Sequence, residues 1–274
     1  MKKLFTMIRR GNLEEVAAIL DKKPELISCL AKAPPKKDDG QSPLMVAIKS
    51  DNLEVAHLLL DRGADVNFAD AINPYGINFS APIWYDAVGQ TFMRARHTVG
   101  PGPERSKGYF LLLRRLLDMG MDPNQKTSHD LTAWQHALEQ YDRFAHDSFY
   151  DPVEFPQSYE RELEENRRLR EMLKAVLDEL LQHGADIHTF IPPNEEGLSH
   201  VSVILRNLEE GRELLDGLYG LDPDSSAFKS YTTTYRGKER LVEPYYTMED
   251  YRQQYEHKWR ELEPILRTYY EKVS

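Results

Sequence analysis

Three histidines, His129, His136 and His146, form the densest group of proton-transferring or metal-ligating side chains in the chain. A zinc site would need further ligands at set spacings, and no cysteine lies near them. There is no H-E-x-x-H pair, no phosphate-binding G-x-x-x-x-G-K-[ST] loop and no G-x-S-x-G elbow. The single cysteine, Cys29, stands in the apolar run ELISCLA and reads as a small core residue. As a nucleophile it would need a positioned base. Asp147 and Asp151 flank aromatic residues and could form a carboxylate pair, but carboxylates are so abundant here that coincidence explains them. An Asn-Phe-Ser acceptor pattern begins at Asn78 without a secretory signal to support glycosylation. The sequence therefore predicts no catalytic residue, no cofactor and no metal.

Composition narrows the remaining classes. The chain has 274 residues, enough for a large core or an extended array, and is 41% hydrophobic. One cysteine leaves no internal disulfide framework, which points to a reducing compartment, cytoplasmic or nuclear. The first residues, MKKLFTMIRRGNLEE, contain no long apolar run, so neither a signal peptide nor a membrane span is expected. A net charge of -10 disfavours general nucleic-acid binding and favours a basic partner.

The elements that must position any binding residue announce themselves by repetition. NLEVAHLLLDRGADVN, residues 52–67, places Val55, Ala56, Leu59 and Leu60 on one helical face. Gly63 then supplies a helix C-cap, and Asp65 and Asn67 suit a tight turn. The same ending recurs as LLDMGMDPN at 116–124 and LLQHGADIH at 180–188. Three such endings predict a repeated unit.

With its upstream segment, the second unit reads DGQSPLMVAIKSDNLEVAHLLLDRGADVN. This resembles the ankyrin repeat, with Ser42-Pro43-Leu44-Met45 at the T-P-L-H start and Ala47 at the first small helix position. Leu59, Leu60, Gly63, Ala64, Asp65, Val66 and Asn67 match the ending, while Asp51 departs from the inter-helix glycine. Pro43 favours the first helical position because its missing N–H would be unpaired there. The resemblance implies an all-α solenoid of about five helix-turn-helix repeats with β-turn fingers, over residues 1–220. Copies fall near 3–35, 38–70, 71–126, 127–190 and 191–220. The first reads as a capping repeat and the last as a degenerate one.

Two insertions interrupt the pattern. The first, QTFMRARHTVGPGPERSK, carries Arg94, Arg96, His97, Arg105 and Lys107 and reads as a mobile basic loop, either a solvated excursion or an arm for an acidic segment. The second is aromatic and proline-rich around 149–156, then becomes a charged helix over 159–171 that extends the helix beyond it. From 221 to 274 the chain is not repeat-like. YTTTYRGKERLVEPYY predicts a β-hairpin turning near Gly237. Tyr251, Tyr255, Trp259, Leu262, Leu266 and Tyr269 follow at helical spacing, as a helix that packs on the last repeat or recognises a partner.

The resemblance implies a protein-binding adaptor or scaffold, docking its partner on a concave face of finger tips and first helices, and working as a monomer. Carried over by position, that face holds Asp39, Gln41, Lys49 and Arg62 in the second copy. Asn73, Tyr75 and Asn78 project from the long finger, and Met119, Lys126, Ser128, His129, Glu139 and His183 hold matching places in the third and fourth copies. Tyr75 and Arg62 are of the types that dominate interface energetics. The net charge suggests a second reading, an escort for a basic protein. A third is an enzyme whose pocket the insertions build. Asparagines in the G-A-D-V-N turn of the family can be hydroxylated, and Asn67 has that context.

Overall fold

The computed structural model describes residues 1–70, 80–96, 101–145, 151–188, 231–235, 238–242, 256 and 260–270. The chain divides into two compact units, Met1–Asp186 and Ile187–Ser274.

The first unit is helical: α1 (Lys2–Arg9), α2 (Leu13–Lys22), α3 (Pro43–Lys49), α4 (Leu53–Asp61), α5 (Trp84–Arg96), α6 (Gly102–Asp118), α7 (Ala133–Phe144) and α8 (Pro156–Gln182). These pair within each repeat, and like helices stack on like. The first helices α1, α3, α5 and α7 touch in succession, as do the second helices α2, α4, α6 and α8. Each pair alone has an open apolar side, so neighbours must close it. Leu44, Val46, Ala47, Val55, Ala56 and Leu59 are all buried in the first unit. Burying each larger aliphatic side chain contributes about 1.5–3 kcal/mol.

Local chemistry starts the helices. Ser42 accepts from the Met45 N–H at 3.2 Å ahead of Pro43. Thr132 and Gln135 form a reciprocal capping box at the start of α7, with the Thr132 N–H 2.9 Å from Gln135 Oε1. Gly63, Gly120 and Gly184 end α4, α6 and α8 with φ of 80°, 90° and 83°. Asp51, in the turn where the family pattern has glycine, keeps the left-handed backbone at φ 59°. Its side chain repays this by bonding the next repeat: the Tyr109 hydroxyl donates to it at 2.9 Å, and Arg94 and Arg105 pair with it at 3.3 and 3.8 Å.

The turn asparagines tie repeats together. Asn67 Nδ2 donates to the Gly120 carbonyl at 3.0 Å, and Asn67 Oδ1 accepts from the Asp122 N–H at 2.8 Å. Asn124 repeats both bonds one unit on, to the Gly184 carbonyl at 2.8 Å and from the Asp186 N–H at 2.7 Å.

The insertions are incorporated differently from expectation. The described residues of the first are mostly helical: Arg94 and Arg96 end α5, and Arg105 and Lys107 lie in α6. Glycine and proline composition misled because Gly102 and Pro103 occupy the first turn of α6, where proline is tolerated. His97 lies outside the described residues. The charged stretch 159–171 is the N-terminal part of the 27-residue α8, as expected.

In the second unit, β1 (Tyr231–Tyr235) pairs antiparallel with β2 (Lys238–Val242), from Tyr231 opposite Val242 to Tyr235 opposite Lys238. The predicted hairpin is present. Residues 260–270 are helical, with Leu262, Leu266 and Tyr269 of the expected stripe buried. The Tyr270 hydroxyl donates to the Ile187 carbonyl at 3.0 Å. The expected fifth copy, 191–220, lies outside the described residues, as do Tyr251, Tyr255 and Trp259.

Candidate protein-binding face

Two finger segments form one edge. Ala69 and Pro82 form an isolated antiparallel bridge, with the Asp70 N–H donating to the Ala81 carbonyl at 3.1 Å and the Ile83 N–H to the Phe68 carbonyl at 3.0 Å. The next finger joins it through Ser128, whose N–H reaches the Ser80 carbonyl at 2.9 Å and whose hydroxyl accepts from the Ser80 N–H at 3.0 Å. Thr127 fixes the turn from within, bonding the N–H groups of His129 and Leu131 at 3.2 Å each. Lys126, Ser128 and His129 are therefore exposed on a pinned backbone.

The first helices supply a charged floor. Lys49 on α3 sits 3.3 Å from Asp70 and 3.6 Å from Asp86. Burial pushes the Asp86 carboxyl up, while Lys49 opposes the shift and Asp70 adds to it. On α5 and α7, Tyr85 stacks on His136 with ring centroids 4.0 Å apart. His136 is 1% exposed, and burial lowers its pKa to about 4, with the Tyr85 backbone acting in the opposite direction. Glu139, one turn along α7, is half-buried, and burial together with Asp142 raises it to about 7. Burial likewise raises Tyr85, with Asp86 and Glu139 adding to it.

The sequence-derived residues separate into distinct groups. Lys49, Lys126, Ser128, His129 and Glu139 lie on the fingers and first helices. Asp39 accepts from the Ala33 N–H at 2.9 Å, and Gln41 is only 5% exposed, with its Oε1 buried and unbonded. Arg62, Met119 and His183 instead occupy equivalent C-cap positions on the second helices α4, α6 and α8. Arg62 pairs with Asp21 of α2, and His183 Nε2 lies 3.2 Å from Asp118 of α6, so both tie second helices together. Met119 is 41% exposed. Asn73, Tyr75 and Asn78 lie outside the described residues. Asn67 is exposed, yet its amide is committed at both ends to the next repeat.

Sequence reasoning passed over Tyr85 and Asp86 as members of this face, with the buried His136 stacked beneath Tyr85. The signal was Asp86 itself, a carboxylate at a position that the repeat fills with alanine. Among the described residues no group of three His, Cys, Asp or Glu is placed to hold a metal ion, and no helix is long and apolar enough to cross a membrane.

Comparison with known proteins finds a family match over the N-terminal part. Residues 3–70 match the family described as ankyrin repeats (3 copies). That stretch contains the helix pairs α1/α2 and α3/α4. No curated protein matches the chain. Among solved structures, the chain is similar to the crystal structure of an ankyrin repeat domain from Acinetobacter baumannii AYE, at 20% identity. That likeness covers 67% of this chain and 98% of the other, with a TM-score of 0.30.

Proposed function

We propose, from the premise that residues 3–70 are ankyrin repeats, that this protein is an adaptor or scaffold that docks a protein partner on its fingers and first helices. Ankyrin repeats are generally protein–protein interaction modules. The observation that supports this face is the exposed set Lys126, Ser128, His129 and Asp130, held by Ser80 and the buried Thr127. A tip ordered before binding loses little conformational entropy on docking. Lys49 and Arg62 pair with carboxylates of other elements, Asp70 and Asp21, whereas Lys126 stands 4.0 Å from Asp130 of its own finger. The contact residues of this reading are Lys126, Ser128 and His129, with Glu139 at the floor and Tyr75 carried over from the sequence alone. The protein works as a monomer in the cytoplasm or nucleus.

A second reading, escort of a basic protein, draws on the net charge of -10 and on the acidic floor formed by Asp70, Asp86, Glu139 and Asp142. Affinity capture from a cell lysate at low and high salt separates the two. An adaptor retains its partner at high salt, whereas an escort held by exposed charge loses it through screening. Absence of any specific partner at either salt concentration contradicts both. An enzymatic reading has the least support: the cavity lined by insertion residues contains neither a histidine nor a cysteine, and its Ser106 hydroxyl is bound to the Thr91 carbonyl at 2.8 Å.

A further inference from the structure

The two insertions meet. The end of α5, the start of α6 and the middle of α8 extend beyond the short helices α3 and α4 of the regular repeat. Between their extra turns lies a cavity of about 290 Å³. Ala95, Phe110, Met172 and Ala175 make its walls apolar. A regular ankyrin pair as short as α3/α4 could not form it, because the lining turns would be missing.

One wall residue does not fit an empty apolar space. Arg168 lines the cavity, and its Nη2 is buried without a hydrogen-bond partner. Its Nε makes one long contact, 3.4 Å to the Glu164 carbonyl, and stands 3.9 Å from the Glu164 carboxylate. That carboxylate is already held by Arg167, through Nε at 2.8 Å and Nη2 at 2.7 Å. Arg167 also pairs with Glu171, the acidic residue on the cavity wall. Arg167 thus bridges both acids, while Arg168 meets Glu164 through long Nε contacts and keeps an unbonded Nη2. A buried guanidinium N–H without an acceptor is unfavourable, and guanidinium geometry suits a carboxylate.

We propose that this cavity binds a small apolar carboxylate, with the tail among Ala95, Phe110, Met172 and Ala175 and the carboxylate on Arg168. The volume lies at the lower end of ligand pockets, which suits a medium-chain fatty acid better than a long one. The site is separate from the fingers, so binding here goes beyond the partner-docking role.

The test is calorimetric titration of the full chain with octanoate and, in parallel, with the uncharged 1-octanol. Octanoate is expected to bind saturably at one site, at least tenfold more tightly than octanol. Arg168→Gln should weaken octanoate at least tenfold and leave octanol unchanged. Ala175→Leu fills the cavity and should abolish both; circular dichroism checks its folding, and Ala95→Val replaces it if it does not fold. The proposal is overturned by absence of saturable octanoate binding, by equal affinity for octanoate and octanol, or by octanoate binding that survives both Arg168→Gln and cavity filling.

Discussion

The Tyr109 hydroxyl lies 2.9 Å from the Asp51 carboxylate, and it is buried with that bond and a second, at 3.1 Å, to the Ile48 carbonyl. Asp51 replaces the glycine of the repeat pattern at a left-handed turn, so it carries backbone strain of about 1 kcal/mol or more. The carboxylate compensates by anchoring Tyr109, Arg94 and Arg105 of the following repeat. Burial, followed by the Asp51 carboxylate, pushes the Tyr109 hydroxyl pKa upward.

Restoring the family residue should therefore harm this protein. Asp51→Gly relieves the backbone but leaves Tyr109 with one acceptor and two arginines without their counter-ion. Equilibrium urea unfolding of the full chain should show a net loss of roughly 1–2 kcal/mol. A gain in stability would show that the turn strain outweighs the network.

The turn asparagines make a second prediction. Asn67→Ala removes a bond from each end of the amide, to Gly120 and from Asp122. Asn124→Ala removes the equivalent pair one repeat on. These sites are at least partly exposed and water replaces some of the loss, so each substitution should cost about 1 kcal/mol. The double variant should be close to additive, since the two amides share no partner. Thermal unfolding of the three variants checks both points. Hydroxylation of Asn67 is a separate proposal, and intact Asn67 without added oxygen in cell-derived protein, read by mass spectrometry, removes it.

His136 and Glu139 give opposite pH dependences on one helix. The folded pKa of His136 is depressed to about 4, so its contribution is lost as the pH falls from about 6.5 towards 4, by an amount of order 2 kcal/mol. The folded pKa of Glu139 is raised to about 7, so its contribution is present in acid and lost as the pH rises through about 7, by an amount of order 1 kcal/mol. In the wild type the two partly cancel between these limits. Unfolding free energies measured from pH 4 to 8 should rise with pH over the acid half in Glu139→Gln. In His136→Leu they should fall as the pH passes through neutrality. Parallel profiles for both variants would contradict the assignment.

Much of the array was legible because its signals are local. Gly63, Gly120 and Gly184 each follow an apolar helical stripe and precede a turn residue that bonds nearby backbone, so the three endings identify themselves. The Tyr231–Val242 hairpin was readable for the same reason, from β-branched and aromatic residues around a glycine. The α5–α6 extension was not readable, because Gly102 and Pro103 break a helix interior yet suit a first turn, and only packing decides between these. The binding face was legible only in part. Position in the repeat brought Lys126, Ser128 and His129 to one exposed tip. It also selected Arg62 and His183, whose partners Asp21 and Asp118 lie 41 and 65 residues away and are joined only by stacking.

The most direct test is site-specific photocrosslinking from the full chain in cell lysate. A crosslinking residue is placed at position 129 on the finger tip and, separately, at position 161 on the exposed surface of α8. If the fingers and first helices dock a protein, position 129 should give a discrete crosslinked product that position 161 does not, and Lys126→Glu should diminish it. A product from position 161 alone, or equal products from both, would contradict docking through this face.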